Sequence, residues 1–545
     1  MNGMIVCPQP AAAEAGLTVL RHGGNAVDAA VTTALVQGVI DPMMCGIGGS
    51  GVMLIHLADE GRQEVIEFYA RAGSGVREDQ WEHLFIREAG DRSGYVLQDW
   101  VNDCGYQSVG VPGTVAGLAE ALRRHGTLSW AEALQPGIDA ARAGMLVTGN
   151  FRNYLITDYG PDVAPSEERI RWTQESRRIY TKEGRLYSLG EVIANPDLAR
   201  TYERLAEVGP EDFYQGEIAA TIAADFAANG GFISVEDLSG YRPMLCEPVS
   251  GSYRGRRLVA AGPPAGGMTL LQMLNYLEGF DLAVASWPSA ESARRRAEAM
   301  DWAMAEREQH LADPQFTPVP VAELTAKEYA AAARAAHDSP TTTHVCVVDA
   351  AGNAVSMTHT LGSSSGVVTP GLGFMWNNYL NCFDPRPGRV NSLAPGKTRV
   401  TMMVPTIVMA GDRPAVVLGA PGGTRIVNGV LQTLLNLIDH GMTPLEAVSA
   451  PRVDFQGETV QAELRVPAEV LAALRELGFS VRQRPMSYDS YFSRVQVIQV
   501  GADGSLIGAS DPRGDGGIAL SVEGWRRPLS GDPPRQEEWA PNPSA

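Results

Sequence analysis

Two runs rich in β-formers, His344 to Asp349 and Ala354 to Thr360, flank the turn Ala351-Gly352-Asn353. That pattern closes as a β-hairpin, and the hairpin limits the folds open to the chain. Val404 to Met409 and Ala415 to Leu418 read as further strands, and Gly51 to Leu57 reads as a short buried one. Helical patterns alternate with them: Ala11 to Arg21 stopped by Gly23-Gly24, Ala26 to Val39 capped by Asn25 with Asp28 in its first turn, and Thr114 to His125. A helix beginning near Met268 follows, then Glu291 to Leu311, Val321 to His337 and Gly429 to His440. Helices outside antiparallel strands imply stacked α and β layers, an α+β chain.

The 545 residues, 44% of them apolar, suffice for one large core or two to three ordinary ones. A net charge of -19 argues against nucleic acid and anionic membrane surfaces as partners. The six cysteines are scattered, with no Cys-x-x-Cys pair and no Cys/His cluster at ligand spacing, so neither a disulfide framework nor a metal site is expected. No organic cofactor is implied. The N-terminus lacks the basic and apolar regions of a signal peptide, and no apolar stretch is long enough to span a membrane, so a cytoplasmic protein with reduced thiols is expected.

Two motifs match nucleotide or hydrolase signatures in letters only. Gly46-Ile47-Gly48-Gly49-Ser50-Gly51 fits G-x-G-x-x-G but precedes a strand instead of following one, and it reads as a tight turn. Gly362-Ser363-Ser364-Ser365-Gly366 fits the G-x-S-x-G elbow, which makes Ser364 an alternative nucleophile with Asp439 or His440 as partners. The elbow requires a following helix, and Val367-Val368-Thr369-Pro370-Gly371 is none.

Thr341-Thr342-Thr343-His344 opens the hairpin. Such a run suits a strand by β-propensity alone. It also permits chemistry: a threonine hydroxyl is a weak nucleophile unless a base adjoins it, and its own α-amine, titrating near ~8, can serve once freed. An internal threonine gains that amine only if the chain is cut in front of it.

The run TTHVCVVDAAGNAV resembles the junction of the γ-glutamyltranspeptidase family, where a Thr-Thr-His triplet opens the small subunit and the first threonine is the nucleophile. The similarity continues in family order through HGGNAVDAAVTTALVQGVIDP, GIGGSGVMLI, GVPGTVAGLAEALRRHG, PPAGGMTLLQMLNYLEGFDL, DWAMAEREQHLADPQF, PTIVMAGDRPAVVLGAPGGTRI and GASDPRGDGG. It implies an N-terminal-nucleophile hydrolase: a four-layer α/β/β/α sandwich cut between Thr341 and Thr342. The products would be a large subunit, 1–341, and a small subunit, 342–545, forming one intertwined heterodimer or a dimer of heterodimers.

By the same resemblance Thr342 is the nucleophile, Thr360 orients it, and the backbone N–H groups of Gly422 and Gly423 form an oxyanion hole. Asn377-Asn378 matches a pair near the pocket and reads equally as a loop brace. The recognition positions depart from the family. Asn381-Cys382 stands where γ-glutamyl-specific members place an aspartate for the substrate's amino group, with Asp384 the nearest replacement acid. Thr401-Met402 replaces a Ser-Ser pair that holds the α-carboxylate, and Arg71, after Tyr69-Ala70, stands in for an arginine expected directly after Glu67-Phe68. The segment from Phe383 to Lys397 is shorter than the family's lid, which favours hydrolysis over transfer. These features together imply an amidohydrolase for γ-glutamyl or related N-acyl amides, with cephalosporin-type acylases and small oxo-acid amidases as comparable branches. A non-cleaving module that binds amino-acid-like ligands is the alternative of a different class.

Overall fold

The hairpin forms the middle of a seven-stranded sheet in the computed structural model, which describes residues 3–89, 94–157, 160, 162–332, 343–457 and 459–520. Across that sheet the strands run Met244–Cys246, Arg62–Phe68, Ser50–Leu57, Ala354–Thr360, Thr343–Val348, Met4–Cys7 and Gly517–Leu520, each antiparallel to its neighbour. A second, six-stranded antiparallel sheet runs Val249–Tyr253, Arg256–Ala260, Thr406–Ala410, Arg413–Gly419, Gln496–Val500 and Leu506–Ser510.

Strand alternation builds the layers. In Thr343–Val348, Val345 and Val347 enter a core shared with the helices Pro10–Arg21, Ala26–Ile40 and Thr114–His125. Cys346 and Val348 face the other way, onto Val259, Ile407, Val417 and Ile498 of the second sheet. The second sheet's outer residues, among them Leu258, Val408 and Leu418, pack on the helices Gly267–Leu277, Ala290–His310 and Arg425–Ile438. Three apolar clusters between four layers make the α/β/β/α sandwich of an α+β chain.

The Ala26–Ile40 helix shows how local chemistry anchors a layer. Asn25 Oδ1 accepts the Val27 and Asp28 N–H groups at 2.9 and 3.1 Å, and the Asp28 carboxylate returns to the Asn25 N–H at 2.8 Å. That carboxylate also takes the N–H groups of Thr127 and Leu128, which ties this helix to the chain after Thr114–His125.

Two helix expectations change. Val321 to His337 is two short helices, Val321–Leu324 and Lys327–Ala332, with the remainder of that stretch outside the described residues. Thr325 breaks the run: its hydroxyl bonds the Val321 carbonyl at 2.7 Å, and its own carbonyl accepts the Asn275 side chain at 2.7 Å. The helix expected from Gly429 starts at Arg425 instead, and Gly429 lies inside it, where Ser493 leaves no room for a Cβ. Among the described residues no helix is long and apolar enough to cross a membrane.

Candidate active site

Thr341 and Thr342 lie outside the described residues. The described part of the strand opens at Thr343, paired with His359, and Thr360 pairs with Ser50 of the next strand. Thr360 is buried, and its Oγ1 accepts the Gly362 N–H at 2.8 Å, which leaves the hydroxyl proton free for another acceptor. The Thr343 hydroxyl is buried without a hydrogen bond.

Two histidines brace this strand end. His344 Nδ1 lies 2.8 Å from Thr358 Oγ1 and its Nε2 lies 3.3 Å from Ser356 Oγ, while His359 Nε2 lies 2.8 Å from Gln37 Oε1. Burial pushes both imidazoles down to about 3, with His359 also disfavouring charge on His344. Both are therefore neutral at physiological pH and serve as fixed hydrogen-bonding struts.

The glycine-rich turn after Arg413–Gly419 comes to the same place, because Gly419 backs directly onto the His344 ring. Gly422 and Gly423 have φ values of 139° and 71°, which L side chains rarely adopt, and a Cβ on Gly422 would run into Ser493. Neither of their N–H groups donates a hydrogen bond among the described residues. They precede the N-terminus of Arg425–Ile438, whose dipole adds positive potential, so the turn is chemically equipped to receive an anion.

The recognition positions divide. Asn377 is fully used as a brace, its amide nitrogen donating to the Gly48 and Gly110 carbonyls and its oxygen accepting the Gly110 and Tyr379 N–H groups. Asn378 donates to Asp103 Oδ1 at 2.7 Å and accepts the Ser363 N–H at 2.9 Å, next to the Gly362 whose own N–H is held by Thr360. Asn381 Oδ1 accepts Arg399 Nη1 at 3.2 Å. Cys382 is buried beside Gly94, and its carbonyl accepts the Asn391 side chain. Thr401 holds the Met403 N–H on its hydroxyl at 3.3 Å, whereas Met402 packs with Val404, Ala420 and Val427 in the outer core of the second sheet.

Arg71 lies over the Tyr241 ring and donates to the Arg242 carbonyl, close enough to favour ionisation of Glu67. Asp384 is not a free acid: Arg386 engages it at 2.8 Å from both Nε and Nη2. The Ser364 alternative fails on geometry. Ser364 is fully buried, its Oγ approaches Met43 Sδ at 3.9 Å, and among the described residues no histidine hydrogen-bonds it. Its expected partners are engaged elsewhere, Asp439 with Tyr253 and Arg254, and His440 with Arg296.

One residue here was passed over in the sequence. Arg399 is 6% exposed, its guanidinium lies over Tyr379 at 4.4 Å, and a Cβ built on Gly362 would sit 3.9 Å from its Nη2. The available signal was a charge placed directly before the uncharged run Val400 to Met409.

Comparison with known proteins gives three concordant results. The family model described as gamma-glutamyltranspeptidase matches residues 12–521. The chain is 39% identical over 533 residues to the acylase ACY 1 proenzyme of Pseudomonas sp. (strain V22), covering 94% of this chain and 93% of that protein. It is 34% identical over 552 residues to the glutathione hydrolase proenzyme of Escherichia coli (strain K12), covering 94% and 90%. Among solved structures, the cephalosporin acylase from Bacillus halodurans superposes with a TM-score of 0.84 at 29% identity, covering 95% of each chain.

Proposed function

Because this chain belongs to the gamma-glutamyltranspeptidase family, we propose that it is an autoprocessing amidohydrolase whose nucleophile is Thr342. The observation that carries the reading is the setting of the strand that Thr343 opens, with Thr360 at the end of its hairpin partner and the Gly422-Gly423 turn leading from Gly419, which backs onto the His344 ring.

In maturation the Thr342 hydroxyl attacks the Thr341 carbonyl, the peptide bond shifts to an ester, and water hydrolyses the ester. The products are a carboxylate on Thr341 and a free amine on Thr342, and so the subunits 1–341 and 342–545. In turnover that amine takes the hydroxyl proton as the oxygen attacks the substrate's acyl carbon. The Gly422 and Gly423 N–H groups hold the oxyanion, and the amine returns the proton to the departing nitrogen. Water, deprotonated by the same amine, then releases the acyl group. Hydrolysis is favoured over transfer in this reading, because the segment from Phe383 to Lys397, tied by the Arg386 pairs to Asp384 and Glu88, is short for a lid.

Intact-mass measurement of purified protein tests this. Two species cut between Thr341 and Thr342 are expected from the natural sequence, and one uncut species from Thr342→Ala, with no turnover of γ-glutamyl or other N-acyl anilides. An uncut natural chain that binds amino-acid-like ligands without hydrolysing amides would identify a binding module instead.

A further inference from the structure

We propose that Asp41, Gln9 and Gln37 are positioning residues of the active site, whose buried hydrogen-bond relay fixes the ring proton of His359 on Nε2 and keeps Nδ1 as an acceptor for the Thr343 hydroxyl. The proposal rests on the amidohydrolase reading and adds to it the groups that set the strand end from behind.

The relay runs through the helical layer that backs the hairpin. Gln9 stands directly ahead of the Pro10–Arg21 helix, Gln37 lies in the last turn of Ala26–Ile40, and Asp41 ends that helix. Gln9 Nε2 donates to Asp41 Oδ2 at 2.6 Å, Gln37 Nε2 donates to Gln9 Oε1 at 2.6 Å, and Gln37 Oε1 lies 2.8 Å from His359 Nε2. All four residues are buried.

The direction of the relay follows from its end. An ionised carboxylate only accepts, so Gln9 must turn its NH2 to Asp41 and its carbonyl to Gln37. Gln37 must then turn its NH2 to Gln9 and its carbonyl to His359, which is left to donate from Nε2. His359 is neutral, so its Nδ1 is a bare acceptor. Among the described residues neither Nδ1 nor the Thr343 hydroxyl has a hydrogen-bond partner, yet Thr343 and His359 stand opposite each other in the hairpin. Both fall on the face whose Val345, Val347, Val355 and Met357 pack against the helices. Side chains so placed have Cβ atoms roughly 5 Å apart, within reach of a direct bond or of one bridging water, with Thr343 donating. Thr343 follows the proposed nucleophile, so this pairing sets the strand end once the polypeptide is cut.

Two further routes join Asp41 to the site. Its carbonyl accepts the Met44 N–H at 3.0 Å, and the Met44 carbonyl accepts the N–H of Leu361, directly after Thr360, at 2.9 Å. Arg494, whose charge favours the Asp41 carboxylate, donates its backbone N–H to the Pro421 carbonyl at 3.0 Å, directly before Gly422. The other ionisable groups around Asp41 are Asp515, whose charge opposes ionisation, and the Cys45 and Cys7 thiols, which burial keeps neutral. Burial outweighs Arg494 and raises Asp41 to about 6. Below that pH the protonated acid can donate, both amides can turn over, and Gln37 then offers an NH2 that suits the other tautomer, with the proton on Nδ1.

Moving the charge along the relay tests this. In Asp41→Asn the end group can donate or accept, and the direction is lost. In the double variant Asp41→Asn with Gln9→Glu the new carboxylate accepts from both neighbours, and the direction towards His359 returns with side-chain sizes almost unchanged. Nitrogen-15 spectra of histidine-labelled protein distinguish the two tautomers, the His359 signal being identified by its loss in His359→Gln. At pH 8 the proton is expected on Nε2 in the natural and doubly substituted proteins and divided between the nitrogens in Asp41→Asn. In the natural protein it should begin to divide as pH falls through about 6, while His359 stays uncharged. With a γ-glutamyl or other N-acyl anilide at pH 8, kcat should fall about 10-fold in Asp41→Asn, the scale of one hydrogen bond, with KM little changed, and should largely recover in the double variant. A proton held on Nε2 in Asp41→Asn, a double variant that is folded by circular dichroism yet fails to restore the tautomer, or a tautomer that follows the charge with no change in kcat would overturn the proposal. A tautomer that follows the charge in a protein that turns over no amide would leave the relay to Thr343 standing and overturn the amidohydrolase reading instead.

Discussion

At the residue scale, Thr360 is fixed by its acceptor role. With its oxygen committed to the Gly362 N–H, the rotation of its hydroxyl proton is narrowed to directions open to a neighbouring oxygen. That gives it a positioning role towards the Thr342 hydroxyl in the proposed mechanism, and the role predicts an ordered series. Thr360→Ser keeps the hydroxyl and should retain most of kcat. Thr360→Ala should lower kcat by about 100-fold, within the usual range for a group that orients a proton transfer, while KM changes little. Steady-state kinetics on pre-cleaved protein, with circular dichroism to check the fold, measures this. A fall confined to KM would assign Thr360 to substrate binding. Arg71 and Arg399 teach the complementary lesson. Arg71 lies over Tyr241 near Glu67, whereas Arg399 lies over Tyr379, so the two cations differ in their surroundings.

At the scale of elements, the hairpin carries an acid sensitivity of its own. His344 and His359 have values pushed down to about 3, against about 6.5 in the unfolded chain. Below that unfolded value the unfolded state takes up protons that the folded state refuses, so their contribution is present above pH 6.5 and is lost as pH falls towards 3. The loss approaches about 2 kcal/mol per histidine by pH 5. Glu67 works in the opposite sense: burial raises it to about 8, so its contribution is full below the usual carboxylate range and is lost as pH rises through 8. Urea denaturation of the natural chain and of His344→Gln at pH 7 and pH 5 isolates the histidine part, because the Glu67 change is common to both proteins. His344→Gln should lose less stability between those two conditions than the natural chain, and an equal loss would contradict its buried, neutral state. The hairpin itself was legible, because apolar alternation and a Gly-Asn turn determine a strand pair locally, and the Asn25 cap was legible for the same reason. The break at Thr325 and the early start at Arg425 were not. The first depends on the Asn275 side chain, distant in sequence, and the second was obscured by Gly429, a helix-weakening residue whose close approach to Ser493 shows only in the fold. Site positions given by resemblance supplied identities without contacts, which is why the engagement of Asp384 by Arg386 could only be read from the fold.

At the scale of the molecule, the connectivity decides what self-cleavage can do. The strands Thr343–Val348 and Ala354–Thr360, which follow the proposed cut, lie between Met4–Cys7 on one side and Ser50–Leu57 on the other, both of which precede it. The second sheet repeats the arrangement, with Arg256–Ala260 hydrogen-bonded to Thr406–Ala410. Each of the three main cores draws residues from both sides of the proposed cut. Separating the pieces would therefore open two sheets and three apolar interfaces, at a cost comparable with unfolding rather than with undocking a partner. The mature pieces are accordingly expected to elute together in size-exclusion chromatography at high salt, which screens surface charge but leaves apolar contact intact, and to part only in denaturant across the unfolding transition. Release of a folded small subunit by salt alone would mean that the cut divides two independent domains, which this strand order does not allow.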